Sequence, residues 1–467
     1  MFLFQVYDDV LKPIVSDPEI DIGCRPPSRP TRTEVGAWIK TGAAPSTTAA
    51  SAPRGEKSSP PSAPPDKRIK CDLFTTRNCC ILKVLKQSLT FLETNRYMDY
   101  RRMPIEVESP EQMGYETIRH NLSESSYTDR FFRDIQPGMD LRELLLCYGP
   151  HAGHEGLRKA IVDGTALDPE DVLLTIGAAG ALFIIATSLL EKGDELVVVR
   201  PNYATNIETP RAIGAAIRYV DLRFEEGFAL DIGAVKAALS GRTRYISVTY
   251  PHNPTGICLS EGELRQLAAV AEEAGVALLV DETYRDMVFG ELPPLAATLS
   301  RNVISVSSLS KTYGLPGLRV GWIVCRDERM RTTFLAAKEQ IHISGPVLDE
   351  EIAFRYWLQR DQYLPRIRAD IRWKFEAVRE WIRHQNYFEW VEPAGGCVCF
   401  PRIRRPEEGD IDRFYKLLLR EYGTYVGPGH WFEMPRHYMR VGFGWPERES
   451  LENGLKALTQ AWQATLR

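Results

Sequence analysis

Five short apolar runs, rich in β-branched residues and separated by stretches of helical spacing, constrain this chain's fold more than any other feature. They are DVLLTI (171–176), ELVVVR (195–200), RYISVTY (244–250), ALLVDE (277–282) and VISVSS (303–308). Between them lie helical patterns such as ALFIIATSLLEKG (181–193) and EGELRQLAAVAEEAG (261–275). A strand that is apolar along its whole length is buried on both faces, and strands of that kind alternating with helices specify an α/β domain around a mostly parallel sheet. Ligands of such sheets bind beyond the carboxyl ends of the strands, so polar residues just after each run are the candidates for chemistry.

The texture differs on either side of this region. Residues 25–68 are rich in Pro, Ser, Ala and Thr without an apolar period, a composition that buries too little surface to offset ordering entropy. Residues 1–102 are therefore expected to be a low-complexity, disordered extension, with ILKVLKQSLTFL inside 71–102 compatible with one amphipathic helix and the globular part starting near Met103. A connecting arm is expected over 103–147 and the large α/β domain over 148–340. Beyond it, long helical patterns (DEEIAFRYWLQRDQYL, IRADIRWKFEAVREWIRHQ) precede short strands (GGCVCFPRI, HYMRVGFG), which predicts a smaller α+β domain over 341–467.

A formal charge of -4 on 467 residues gives no argument for nucleic acid or an anionic membrane as partner, and small solutes are the better expectation. The nine cysteines show no repeated C-x-x-C spacing, so neither a zinc site nor any other metal is expected and free thiols in a reducing, cytoplasmic compartment are. MFLFQVYDDV lacks the basic segment of a secretory signal, and no apolar run reaches the roughly 20 residues of a membrane span.

The strand ends carry the unusual polar residues. Asp281 closes ALLVD with Tyr284 three residues on; a buried carboxylate there needs a cationic partner, although an N-cap or core ion pair is an equal reading. Asn253, in YPHNPTG between two residues restricted by proline geometry, is by itself more often a turn residue than a site. TIGAAGALF (175–183) runs a strand into small residues at a helix start, where free N–H groups suit a phosphate, although close packing also demands small residues. Ser308 and Arg319 offer a hydroxyl and a guanidinium to the same anion, or serve as a turn residue and a surface charge. Lys311, in SVSSLSKTYGLPGLRVGW, has no charged residue within seven positions on either side. A lysine in that company is placed to form a Schiff base with an aldehyde. Pyridoxal phosphate supplies the aldehyde, the phosphate and a pyridine nitrogen that needs a carboxylate, so one cofactor accounts for all these signals.

From about residue 115 onward the chain resembles the fold type I pyridoxal-phosphate enzymes, specifically the class I/II aminotransferases. The resemblance rests on YGPHAGHEGLRKAI (148–161), GAAGAL (177–182), RPNYAT (200–205), YPHNPTG (250–256), VDETY (280–284), SSLSKTYGLPGLRVGW (307–322) and MRVGFG (439–444). It implies an aspartate-aminotransferase-like architecture that transfers the amino group of an amino acid to a 2-oxo acid. By that resemblance Lys311 is the Schiff-base lysine, Asp281 the partner of the pyridine nitrogen, and Asn253 and Tyr284 the hydrogen-bond donors to the phenolic oxygen. Tyr203 would stack on the ring, and Ala178, Ala179, Ser308 and Arg319 would hold the phosphate. Arg440 resembles the arginine that grips the substrate α-carboxylate, and Tyr148 the tyrosine that reaches the phosphate from a neighbouring subunit, which implies a homodimer with shared sites.

IRHNLSESSYTDR (118–130) stands where the family often has small residues entering the site. Glu124 there would favour a basic or polar substrate side chain, or lie in a surface loop without consequence. His252 and His430 are further candidates for the pocket, or packing and capping residues. No second arginine is assignable to a side-chain carboxylate. The same site residues also suit a lyase, a cyclase or an amino-acid oxidase. A non-catalytic regulator on this fold would need a DNA-binding module, and residues 1–102 show no helix-turn-helix pattern or basic stripe.

Overall fold

The computed structural model describes residues 98–135 and 140–466. The disorder and amphipathic helix expected before residue 98 lie outside the described residues.

All five apolar runs are strands. After a short β1 (His120–Leu122) come β2 (Val172–Ile176), β3 (Glu195–Arg200), β4 (Ala216–Asp221), β5 (Thr243–Thr249), β6 (Ala277–Asp281), β7 (Val303–Ser308) and β8 (Val320–Cys325). They form a seven-stranded sheet in the order β2-β8-β7-β6-β5-β3-β4, with β4, β3, β5, β6 and β7 parallel. β8 runs antiparallel to both its neighbours, β2 and β7.

Alternate residues of one strand feed two different cores, which is why the runs are apolar throughout. Val197, Val199, Ile246, Val248, Leu278 and Val280 pack with Leu264 and Leu267 of the helix Glu261–Ala274 on one face. On the other, Leu196, Val198, Leu279, Ile304 and Val306 pack with Ile184 and Ile185 of the helix Gly177–Leu189. Each such side chain, taken fully out of water, contributes about 1.5–3 kcal/mol. The helix over 261–274 starts at a capping box, Ser260 with Glu263, and stops at Gly275 in the left-handed region (φ 67°).

The C-terminal strands are β9 (Phe388–Glu389), β10 (Val398–Cys399), β11 (Arg402–Ile403), β12 (Thr424–Pro428) and β13 (Met439–Gly442). β1 joins them in a four-stranded sheet of order β1-β12-β13-β10, pairing parallel to β12. The segment read as a connecting arm thus supplies a strand to the C-terminal sheet, and it carries Ser125 to the cleft at the ends of the parallel strands. The helical pattern after residue 345 also divides differently from the sequence reading. One helix ends at Trp357 and the next runs from Arg360 to Arg383 through Pro365.

Candidate active site

The site lies at the carboxyl ends of the parallel strands. A cleft there is lined by Ser125, Ala178, Ala179, Tyr203, Asn253, Asp281, Tyr284, Ser308, Lys311 and Arg319. Four reach it from the segments that follow parallel strands: Tyr203 after β3, Asn253 after β5, Tyr284 after β6 and Lys311 after β7. Asp281 and Ser308 are themselves the last residues of β6 and β7.

At one end the cleft is an anion cradle. β2 passes straight into the helix Gly177–Leu189, whose first turn holds no acidic residue, so the N–H groups at Ala178 and Ala179 face the cleft with the helix dipole behind them. Close approach of β8 makes this end compact. A Cβ on Gly321 would sit 2.4 Å from the Gly177 carbonyl carbon and 2.7 Å from the Ala178 nitrogen, and one on Gly177 would sit 2.6 Å from Arg319 Nη2. Arg319 is held with a left-handed backbone (φ 48°) and donates Nη1 to the Pro316 carbonyl at 2.9 Å. A non-glycine residue in that region is strained, and such strain concentrates at ligand clamps.

At the other end sits a buried carboxylate. Asp281 Oδ1 accepts from the Thr283 nitrogen at 3.1 Å and the Thr283 hydroxyl at 2.5 Å. Burial pushes its pKa up, while the Thr283 hydrogen bonds and the Lys311 charge pull against that shift. A cationic N–H in the cleft would complete its coordination. Tyr284 donates its hydroxyl to the Ser125 carbonyl at 2.8 Å, and burial raises its pKa strongly. Tyr203 is likewise raised by burial.

Arg440 enters from β13 and is almost completely buried, its guanidinium 5.1 Å from the Phe432 ring centroid and 5.9 Å from that of Trp431. Nη1 donates to Asn253 Oδ1 at 3.2 Å and Nη2 to the Ser123 carbonyl at 2.6 Å, whereas buried Nε has no partner among the described residues. Burial lowers its pKa, with Tyr284 and Glu124 opposing. Two neutral acceptors around a desolvated guanidinium leave its charge unmatched, which a carboxylate ligand would correct.

These observations fit pyridoxal phosphate: the glycine-lined cradle for its phosphate, the buried Asp281 for its ring nitrogen and Lys311 for its aldehyde. Tyr148, by contrast, is 80 % exposed and does not line this cleft. Nor do two of the histidines considered. His252 is buried against Thr255, ring Nδ1 to Oγ1 at 2.8 Å, and burial lowers its pKa to about 4. His430 Nε2 meets Glu108 at 3.0 Å in a separate groove, while its neighbour Trp431 lies beneath Arg440. Sequence reasoning missed Thr283 and the carbonyls of Ser123 and Ser125. The hydroxyl two residues beyond Asp281 was a readable signal, whereas carbonyl acceptors leave none in a sequence.

Comparison with known proteins agrees with this geometry. A family model described as aminotransferase class I and II matches residues 133–458. The chain is 33% identical over 344 residues to capreomycidine synthase of Streptomyces vinaceus, covering 72% of this chain and 87% of that protein. Among solved structures, a PLP-dependent aminotransferase from Streptococcus suis superposes with a TM-score of 0.72 at 26% identity, covering 79% of this chain and 100% of that one. The PLP-dependent cyclase OrfR superposes with a TM-score of 0.71 at 28% identity, covering 80% of this chain and 100% of its own.

Proposed function

The chain belongs to the class I and II aminotransferases and is a pyridoxal-phosphate-dependent transaminase, and from that premise we propose the following division of labour in its cleft. The observation that carries it is that Asp281, at the end of β6, and Lys311, beyond the end of the adjacent parallel strand β7, line one cleft with Asn253, which Arg440 reaches from the C-terminal sheet. Bound pyridoxal phosphate supplies an aldehyde that captures an amine and a ring that takes up the electron pair left when the α-proton departs. Ala178, Ala179, Ser308 and Arg319 hold the phosphate, and Tyr203 covers the ring face. Asp281 keeps the ring nitrogen protonated, and Thr283 keeps Asp281 ionised by donating two hydrogen bonds to it. Asn253 accepts from Arg440 through Oδ1, which leaves its amide N–H groups as donors to the phenolic oxygen, and the Tyr284 hydroxyl joins them by turning its one proton from the Ser125 carbonyl. Arg440 grips the α-carboxylate and so presents the α-proton to Lys311 Nζ, which would pass it on to the former aldehyde carbon of the cofactor and run the transfer backwards in the return half-reaction.

The finer reading is a cytoplasmic homodimer of amino-acid biosynthesis. Support for a dimer comes from the exposed apolar side chains of Phe131, Leu145, Leu146 and Tyr148, 64–80 % accessible. Tyr148 would then serve the site of the partner subunit. The described cysteines are all unpaired thiols, as a reducing compartment requires, and among the described residues no helix is long and apolar enough to cross a membrane.

Similarity to a synthase and a cyclase favours a second reading, in which the same residues promote elimination or ring closure on the amino acid. Amino donor alone separates the two. For a transaminase the cofactor absorbance shifts once, stoichiometrically, and a 2-oxo acid restores it. Continuous release of ammonia, uptake of oxygen or accumulation of a cyclised product would establish the second reading instead.

A further inference from the structure

We propose that Glu124 reads the substrate side chain and selects an amino acid that ends in a cation, an amine or a guanidine. This rests on the reading that an amino acid occupies the cleft with its α-carboxylate on Arg440.

The backbone around Glu124 is fixed on both sides. Asn121 Oδ1 accepts from the Ser123 nitrogen (3.0 Å) and hydroxyl (2.7 Å), the Ser123 carbonyl accepts from Arg440, and the Ser125 carbonyl accepts from Tyr284. The Glu124 carbonyl itself occupies the space a side chain at position 442 would fill: a Cβ on Gly442 would come within 1.7 Å of it. Glu124 therefore stands between the substrate arginine and a cofactor tyrosine, and its carboxylate lies within the fields of Lys311 and Arg440. Tyr115 donates to Glu124 Oε1 at 3.3 Å, and the Tyr115 ring stacks on Trp445, centroids 6.0 Å apart. Trp445 in turn donates Nε1 to Asp129 at 2.8 Å. Glu111, Glu124 and Asp129 all act on the Tyr115 hydroxyl, so the surroundings of Glu124 are aromatic and acidic together.

Charge matching then decides the ligand. With cofactor and substrate bound, Lys311 is committed to the α-proton, Arg440 to the α-carboxylate and Asp281 to the ring nitrogen. Glu124 is left as a largely buried carboxylate whose two nearby cations are both engaged. An apolar side chain would desolvate it further without compensation, and an acidic one would repel it. A cationic side chain pairs with it directly, and the neighbouring carboxylates of Glu111 and Asp129 favour the same charge.

The test is the dissociation constant of L-lysine, L-ornithine, L-arginine, L-norleucine and L-glutamate for the holoenzyme, read from the shift in cofactor absorbance. Roughly tenfold or greater preference for at least one cationic amino acid over L-norleucine is expected, the equivalent of one charge-assisted contact. Glu124→Gln should bring that ratio to within about threefold of unity. The wild type gives an independent check. Burial raises the Glu124 pKa, with Lys311 and Arg440 lowering it, Glu111 raising it and the Tyr115 hydrogen bond lowering it. The cation preference should therefore grow as pH rises through that pKa and ionises the carboxylate. L-norleucine binding as tightly as every cationic amino acid, or a preference that survives Glu124→Gln, overturns the inference alone. Absence of any shift with every amino acid overturns the amino-acid reading of the cleft and this inference with it.

Discussion

Arg440 and Asn253 are joined across the two sheets: guanidinium Nη1, carried on a strand of the C-terminal sheet, donates to Asn253 Oδ1 beyond a strand of the seven-stranded sheet, at 3.2 Å. Substrate anchoring and cofactor binding thus share one hydrogen bond, and a change at either residue is felt at both.

Replacing Arg440 tests the anchoring. Arg440→Ala leaves the substrate carboxylate unpaired in a desolvated cleft, and losses at such sites run to about 2–5 kcal/mol. Catalytic efficiency with amino donors should fall by roughly 10²- to 10³-fold, mostly through KM, with the cofactor still bound. Arg440→Lys should recover little, because an ammonium cannot reproduce two contacts to neutral acceptors while forking onto a carboxylate. Steady-state kinetics on both variants check this.

Strain and function are separable at Arg319. Its backbone is left-handed, a conformation glycine adopts without penalty. Arg319→Gly should leave the apoprotein at least as stable in thermal denaturation, while weakening pyridoxal phosphate roughly tenfold or more through loss of a charged phosphate contact. Equal cofactor affinity in the variant would remove Arg319 from the phosphate site.

Buried His252 makes the fold acid-sensitive. Burial lowers its pKa to about 4 from the ordinary 6.5, so below pH 6.5 the unfolded chain takes up a proton that the folded one refuses. Stability should therefore fall as pH drops from about 6.5 towards 4, by up to about 3 kcal/mol from this group. His252→Gln should flatten that part of the profile. Chemical denaturation at several pH values measures it.

How much of this was readable in the sequence follows from the physics of each element. Strands buried on both faces announce themselves as apolar runs, so β2, β3, β5, β6 and β7 were legible. β4 is an edge strand in which Ala216, Arg218 and Asp221 are exposed and Val220 alone is buried, and its AIRYVD pattern carries no continuous apolar signal. β8, VGWIVC, was legible as apolar but was read as part of the motif around Lys311 rather than as the strand that closes the phosphate cradle. The helix Gly177–Leu189 begins four residues before the apolar stretch that predicted it, because its first turn is made of small residues selected for closeness to a ligand. The two helical patterns parted at residues 365–366 in the sequence, whereas the chain breaks the helix at residues 358–359. In the site, chemistry-bearing side chains were legible from residue type and place, whereas Ser123 and Ser125 act through carbonyls that every residue possesses. Domain-spanning contacts such as Arg440 to Asn253, 187 residues apart, require the fold itself.

The most direct test of the account is to treat the reconstituted holoenzyme with borohydride, which fixes a lysine-bound aldehyde as a stable secondary amine, and to locate the label by peptide mass spectrometry. The account predicts the cofactor mass on the peptide containing Lys311, and neither label nor amino-acid turnover in Lys311→Ala. A label on another lysine, or a Lys311→Ala variant that still turns over amino acids, would contradict it.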